Sequence, residues 1–152
     1  MLKIPQKVDH ALLLMRHLAE GHATARPVSL EEVAKRERIS QGYLEEVARL
    51  LRTAGLISGR RGVGGGYTLA RKASDMTVAD VITAMEGKTW SMECLGLSSV
   101  ASAKEDESPK EHRVSANDAL WRKVQGQVMA TLHSVTIAEI VREWTSEKVS
   151  SG

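Results

Sequence analysis

The stretch from Ser29 to Arg71 constrains the fold most, because two short helix patterns are followed there by a glycine-rich segment. Ser29, with Glu32 three residues later, has the pattern of a capping box, which starts a helix. Ser40 stands before a second run of apolar residues with helical spacing and predicts another helix start. Gly55 follows that run in the position where helices commonly end. Two short consecutive helices are therefore expected.

Two strand patterns follow these helices, at residues 56–60 and 67–70. The intervening residues 61–66 have the sequence RGVGGG, and glycine allows the tight chain reversal of a hairpin. Two helices and then a hairpin predict a helix-turn-helix with a wing, a shape that fits the major groove of DNA. The tip also resembles a phosphate-binding loop, but it lacks the last glycine of a dinucleotide motif and joins two strands.

Composition limits the class of protein. The chain has 152 residues, which suits one domain, and no apolar run is long enough to span a membrane. Its start has charges within the apolar stretch and no signal-peptide cleavage pattern. The one Cys cannot form an internal disulfide. We therefore expect a cytoplasmic protein without a membrane partner.

Charge is distributed unevenly along the chain. Residues 1–75 contain 13 Lys or Arg and 8 Asp or Glu, whereas residues 76–152 contain 8 and 11. The basic excess therefore falls on the half with the helix-turn-helix. This distribution favours double-stranded DNA as the partner of that half.

The second helix of the pair has an exposed face with groups that contact bases. Gln41 can pair with adenine, Glu45 can accept from cytosine, and an arginine can meet guanine or phosphate. An ordinary solvated helix face is the alternative, and the wing that follows favours DNA. The predicted DNA-binding residues are Ser40, Gln41, Tyr43, Glu45, Arg49, Arg52, Arg60, Arg61, Gly62 and Gly64.

Metal binding and catalysis have weaker support. Cys94, His112 and Asp9 are candidate metal ligands, but a lone Cys or His is usually structural or solvated. Iron–sulfur clusters ordinarily need several thiolates. No nucleophile–base motif or zinc-protease motif is present, so we do not expect an enzyme.

A long helix pattern begins near Asn117 and has an apolar seam that suits self-association. Packing of this helix back onto the chain's own core is the alternative. The predicted dimerisation residues are Trp121, Val124, Val128 and Leu132. The expected organisation is a DNA-binding core over residues 1–88, a flexible loop over 89–116, and a dimerisation helix with a terminal helix over 117–146.

These patterns together resemble the BadM/Rrf-two family of bacterial winged-helix transcriptional regulators. The resemblance covers about residues 2–88 and 116–141 and rests on VSLEEVAKRERIS, YLEEV, LLRTAGLI, RGVGGGYTLAR, MTVADVITAMEG and DALWRKV. It implies a mainly α fold, a winged helix-turn-helix with a small β-hairpin and a long C-terminal dimerisation helix. It also implies a homodimer on a palindromic promoter site, with DNA contacts at the positions of Ser40, Tyr43, Glu45 and Arg61. We expect this regulator to be a repressor.

The same resemblance bears on a cofactor. Cluster-binding relatives have three Cys in the loop before the long helix; Cys94 matches the first, and Ser115 occupies the position of the third. Asp118 and Asp9 match non-Cys ligand positions of some branches. With two of three Cys absent, we expect no cofactor. The alternatives are an iron–sulfur or redox-sensing regulator that uses Cys94 with non-Cys ligands, and a winged-helix interaction module that does not bind DNA.

Overall fold

The computed structural model describes residues 4–24, 26–87 and 116–150, and the fold is mainly helical as predicted. No helix of this described part is long and apolar enough to cross a membrane. The elements in chain order are α1 (Gln6–Ala23), α2 (Leu30–Glu37), α3 (Gln41–Thr53), β1 (Ile57–Arg60), β2 (Gly66–Leu69), a 3-10 turn (Ala73–Asp75), α4 (Val78–Glu86), α5 (Ala116–Ser134) and α6 (Ile137–Ser150).

Helices α2 and α3 form the predicted helix-turn-helix. Arg38 has a left-handed backbone with φ 56°, which ends α2, and the Ile39 N–H donates to the Ala34 carbonyl at 3.0 Å. Ser40 then caps α3, as predicted, because its hydroxyl oxygen accepts the Tyr43 N–H at 3.3 Å. A three-residue turn thus joins two helices whose relative direction is set by backbone geometry.

The end of α3 is closed by a Schellman motif at the predicted glycine. Gly55 has φ 74°, and its N–H donates to the Arg52 carbonyl at 3.0 Å. The Leu56 N–H donates to the Leu51 carbonyl at 3.0 Å, and both leucine side chains are buried. This motif satisfies the last carbonyls of the helix and directs the chain into β1.

Strands β1 and β2 form the antiparallel wing, with Ile57 opposite Leu69 and Arg60 opposite Gly66. Val28, before α2, pairs with Tyr67 through two backbone hydrogen bonds of 2.8 Å. A side chain at Gly66 would place its Cβ 2.4 Å from the Val28 carbonyl oxygen, so only glycine fits there. The wing is therefore fixed to the start of the helix-turn-helix.

Helix α1 lies at the centre of the core. It contacts α3, α4, α6 and β2, and its residues Leu14, Met15 and Leu18 are fully buried. The larger buried side chains of the other elements are Leu44, Val47, Leu51, Leu56, Ile57, Met76, Ile82 and Ile137. The core is aliphatic, in keeping with a sequence that has no Phe.

The starts of α4 and α6 are joined to each other. The Val78 N–H donates to the Val135 carbonyl at 3.0 Å, and the Ile137 N–H donates to the Met76 carbonyl at 2.9 Å. Each helix also begins with a reciprocal capping box. Thr77 and Asp80 form the first box, and Thr136 and Glu139 form the second. This joint connects the long helix α5 to the part of the fold that contains the helix-turn-helix and the wing.

The predicted capping box of Ser29 is wrong, and a glycine lies within the preceding helix. Gly21 belongs to α1, which continues to Ala23; a Cβ at Gly21 would lie 2.5 Å from a Val28 methyl, so this glycine allows close packing. The Ser29 side chain makes no capping hydrogen bond. The backbone pairing of the neighbouring Val28 with Tyr67 already fixes the chain where α2 begins.

The side chain of Thr77 caps its helix and that of Ser29 does not, and this difference is testable. Thr77→Ala removes a hydroxyl that accepts the Asp80 N–H, and we expect the free energy of unfolding to fall by about 1 kcal/mol. Ser29→Ala removes no such bond and should change it by less than about 0.5 kcal/mol. Urea denaturation at one fixed protein concentration measures both. An equal loss of unfolding free energy in the two variants would contradict the conclusion that only Thr77 caps its helix.

Candidate nucleic-acid interface

Helix α3 has one buried face and one exposed face. Leu44, Val47 and Leu51 are at most 1% exposed and hold the helix against the core. Residues 41, 45, 49 and 52 follow one another at spacings of four, four and three, so they share the opposite side. We call this side the reading face; its exposed residues are Gln41, Glu45, Arg49 and Arg52.

Side-chain hydrogen bonds organise the reading face. The Gln41 amide donates to Glu45 Oε1 at 3.1 Å. Arg49 donates from Nε and Nη2 to the two carboxylate oxygens of Glu46, at 2.8 and 2.7 Å. The hydrogen bond from Arg49 lowers the pKa of Glu46, and both side chains are about half exposed. Exposed pairs of this kind are weak, so Arg49 can exchange Glu46 for a phosphate.

The first turn of α3 lies against α1. Tyr43 is half-buried, and its ring meets the His10 ring edge-on, with centroids 5.4 Å apart. The hydroxyl oxygen of Ser40 is occupied as an acceptor, but its O–H remains a donor. A phosphate at this helix start would meet both a hydroxyl donor and the positive end of the helix dipole. His10 carries no sequence signal for this role, since only the fold brings it to Tyr43.

The wing tip is shaped by glycine. Gly62 and Gly64 have φ values of 100° and 71°, and the Gly65 N–H donates to the Gly62 carbonyl at 2.9 Å. Arg60 and Arg61 are exposed at the base of this turn. Within the ranges that the structure describes, neither arginine belongs to an ion pair, and Arg52 does not either. These three guanidinium groups are available to an anionic partner.

A partly buried polar cluster supports the helix-turn-helix from behind. His17 is 5% exposed, and its Nε2 lies 2.6 Å from Glu37 Oε1. Arg16 donates to the same oxygen at 3.3 Å, and its guanidinium lies 3.8 Å from the centre of the Trp144 ring. The cluster joins α1 and α6 to the last residue of α2. This cluster could not be predicted from the sequence, because its members are up to 128 positions apart in the chain.

The described part of the structure does not bring the predicted metal ligands together. Cys94 and His112 lie outside the described residues, and Asp9 is exposed on α1. No group of three or more His, Cys, Asp or Glu in the described ranges could hold a metal ion. With a single thiol in the chain, the donor set does not fit an iron–sulfur cluster held by cysteines. The expected lack of a cofactor stays a prediction.

Helix α5 exposes apolar side chains toward its start. Leu120 is 56% exposed and Trp121 is 43% exposed, while Val124 and Val128 are half-buried. Leu132, near the other end, packs against the chain's own core. The predicted seam therefore divides into an inner end and an outer end.

The fold and this interface define a class of protein. A winged helix-turn-helix with an exposed polar face on its second helix, next to exposed arginines of a wing, is typical of DNA-binding transcriptional regulators. Residues 4–143 match the model of the Rrf2 family, which is described as an iron-dependent transcriptional regulator. The chain belongs to this family, as its motifs predicted.

Known relatives agree with this assignment. The chain is 33% identical over 124 residues to Protein rrf2 of Nitratidesulfovibrio vulgaris, which covers 80% of this chain and 76% of the relative. The structure of CymR, the global cysteine regulator of B. subtilis, matches with a TM-score of 0.72 and 32% identity, covering 94% of this chain and 98% of that one. T. potens IscR matches with a TM-score of 0.67 and 30% identity, covering 93% and 88%.

The pairing of Arg49 with Glu46 predicts a gain of function. Glu46→Gln removes a carboxylate that holds Arg49 and repels phosphate, so we expect DNA affinity to rise about two- to fivefold. Fluorescence anisotropy with a specific duplex measures it. Glu143→Gln changes the net charge equally on the distant helix α6 and should have little effect. A Glu46→Gln variant with unchanged or weaker affinity would show that Arg49 does not contact DNA.

Proposed function

We propose that this protein is a homodimeric repressor that binds a palindromic promoter site through its reading face and wing. The observation that carries the proposal is the rigid placement of α3. Its apolar face is buried and both its ends are capped, while its polar face and the neighbouring wing arginines are open to solvent. A helix held in this way can enter the major groove without reordering the fold.

The reading face divides into two roles. Gln41 and Glu45, in the first turns of α3, are the groups that contact base edges, and they choose the sequence. Arg49 and Arg52, further along the helix, supply positive charge for guanine or phosphate. Ser40 and Tyr43 at the helix start donate to the phosphate backbone, which sets the register of the protein on DNA.

The wing supplies the second contact. Arg60 and Arg61 extend from a hairpin that is tied to Val28 by two backbone hydrogen bonds, so their position relative to α3 is fixed. With Gly62 and Gly64 leaving room for close approach, Arg61 contacts the phosphate backbone or the minor groove beside the site of α3.

Dimerisation through the exposed end of α5 completes the site. Leu120 and Trp121 would be buried by a second copy, and Val124 and Val128 continue the same surface. A two-fold dimer presents two α3 helices to DNA, and when they enter successive major grooves, about 34 Å or one turn of DNA apart, the preferred site is a palindrome. Repression then follows from occupying the promoter.

The contribution of the wing is tested by Arg61→Ala on a duplex obtained by binding-site selection. Loss of one phosphate or groove contact should lower affinity about tenfold and reduce the slope of log affinity against log salt by about 1. Arg142→Ala, on α6, removes the same charge away from the interface and is the matched control. Equal affinity for wild type and Arg61→Ala would exclude a wing contact.

The dimer is tested by Trp121→Asp. A carboxylate at this exposed position should not disturb the chain's own core but would be buried without a partner in the dimer. We expect a monomer in sedimentation equilibrium, with unchanged helical circular dichroism and at least tenfold weaker binding to the palindrome. Ala130→Asp, on the opposite exposed side of α5, should remain dimeric. A dimeric Trp121→Asp variant would place the interface elsewhere.

A further inference from the structure

The tip of the wing carries an apolar side chain that the fold does not use. The side chain of Val63 is fully exposed, at 110% of the reference value. The other exposed large apolar residues of the described ranges reach at most 79%. Val63 contributes no buried area to folding. Its position, at the tip of the wing and next to exposed arginines, leaves it open to contact with a molecule that binds the wing.

The tip is built to project this side chain. The Gly65 N–H to Gly62 carbonyl bond closes a turn with Val63 and Gly64 at its centre. A Cβ at Gly65 would lie 2.3 Å from the Arg60 carbonyl oxygen, so the turn is packed directly on its own base. Val63 therefore extends from a compact turn, in a position fixed relative to β1 and β2.

The charges beside the tip indicate where the tip would bind on DNA. Arg60 and Arg61 are exposed, belong to no ion pair within the described ranges, and lie at the base of the turn. Guanidinium groups are attracted to phosphates, and the two phosphate rows of DNA border the grooves. With its arginines near the phosphates, the tip would lie over a groove, with its apolar end toward the bases.

We propose that Val63 contacts the floor of the minor groove and selects A·T over G·C base pairs there. This inference rests on the proposed DNA binding by the wing. In the minor groove only G·C presents an amino group, the N2 of guanine. A valine cannot accept a hydrogen bond from that group and would bury it unpaired, which costs binding free energy. Val63 thus adds sequence selection to a wing whose arginines bind any sequence.

The experiment uses the full-length protein and its selected duplex. Adenines in the base pairs under the wing are replaced by 2,6-diaminopurine, which adds the minor-groove amino group and leaves the major-groove edge unchanged. For wild type we expect about fivefold or greater loss of affinity. Val63→Ala, which withdraws two methyl groups, should reduce this loss to less than about twofold. Val63→Thr keeps the size but supplies an acceptor, and it should also reduce the loss.

The other outcomes of this experiment would contradict the role of Val63 or the proposed function. A wild type that tolerates the added amino group, or a Val63→Ala variant that keeps the full loss, would overturn the role of Val63. Arg60→Ala, which removes a charge attracted to phosphate of any sequence, should weaken binding to both duplexes alike and leave their ratio unchanged. If binding-site selection yields no duplex that the wild type binds, the proposed function itself fails. If Val63→Ala changes the oligomeric state in sedimentation but not the affinity ratio, Val63 contacts a protein and the inference is wrong.

Discussion

The burial of helix α1 is the packing on which the rest of the structure depends. This helix touches the recognition helix α3, the strand β2 and the helices α4 and α6, and Leu14 and Met15 within it have no exposed surface. Truncating a leucine so fully enclosed costs about 2–5 kcal/mol, a large part of the stability of a small domain. The orientation of α3, and hence of its polar face, is a consequence of this packing.

The partly buried cluster behind the helix-turn-helix fixes the position of α2 more narrowly than apolar packing does. Removing polar side chains from water costs free energy, and the hydrogen bonds of Glu37 with His17 and Arg16 offset that cost. The Trp144 ring covers the guanidinium of Arg16 on the other side. An apolar contact tolerates sliding, whereas these directional bonds hold the end of α2 at one position.

Local signals in the sequence predicted the fold well. Ser40, Gly55 and the box of Thr77 act within a few residues, so their chemistry is visible in the sequence and the structure confirms it. Ser29 misled because a distant partner, Tyr67, fixes that helix start through Val28. The exposed side of α3 follows from helical spacing, but the choice of Glu46 by Arg49 depends on rotamers. The cluster of Arg16, His17, Glu37 and Trp144 required tertiary contacts.

The backbone joint between the starts of α4 and α6 has a mechanical consequence. Helix α5 is anchored at its C-terminal end, where the Val135 carbonyl accepts the Val78 N–H, and its 19 residues make a lever arm of about 28 Å. A tilt of about 5° at the anchor displaces the far end by roughly 2.5 Å, by the geometry of a rigid helix. In a dimer joined near that far end, the stiffness of this joint, with its two backbone hydrogen bonds, would limit how far the separation of the two α3 helices can vary.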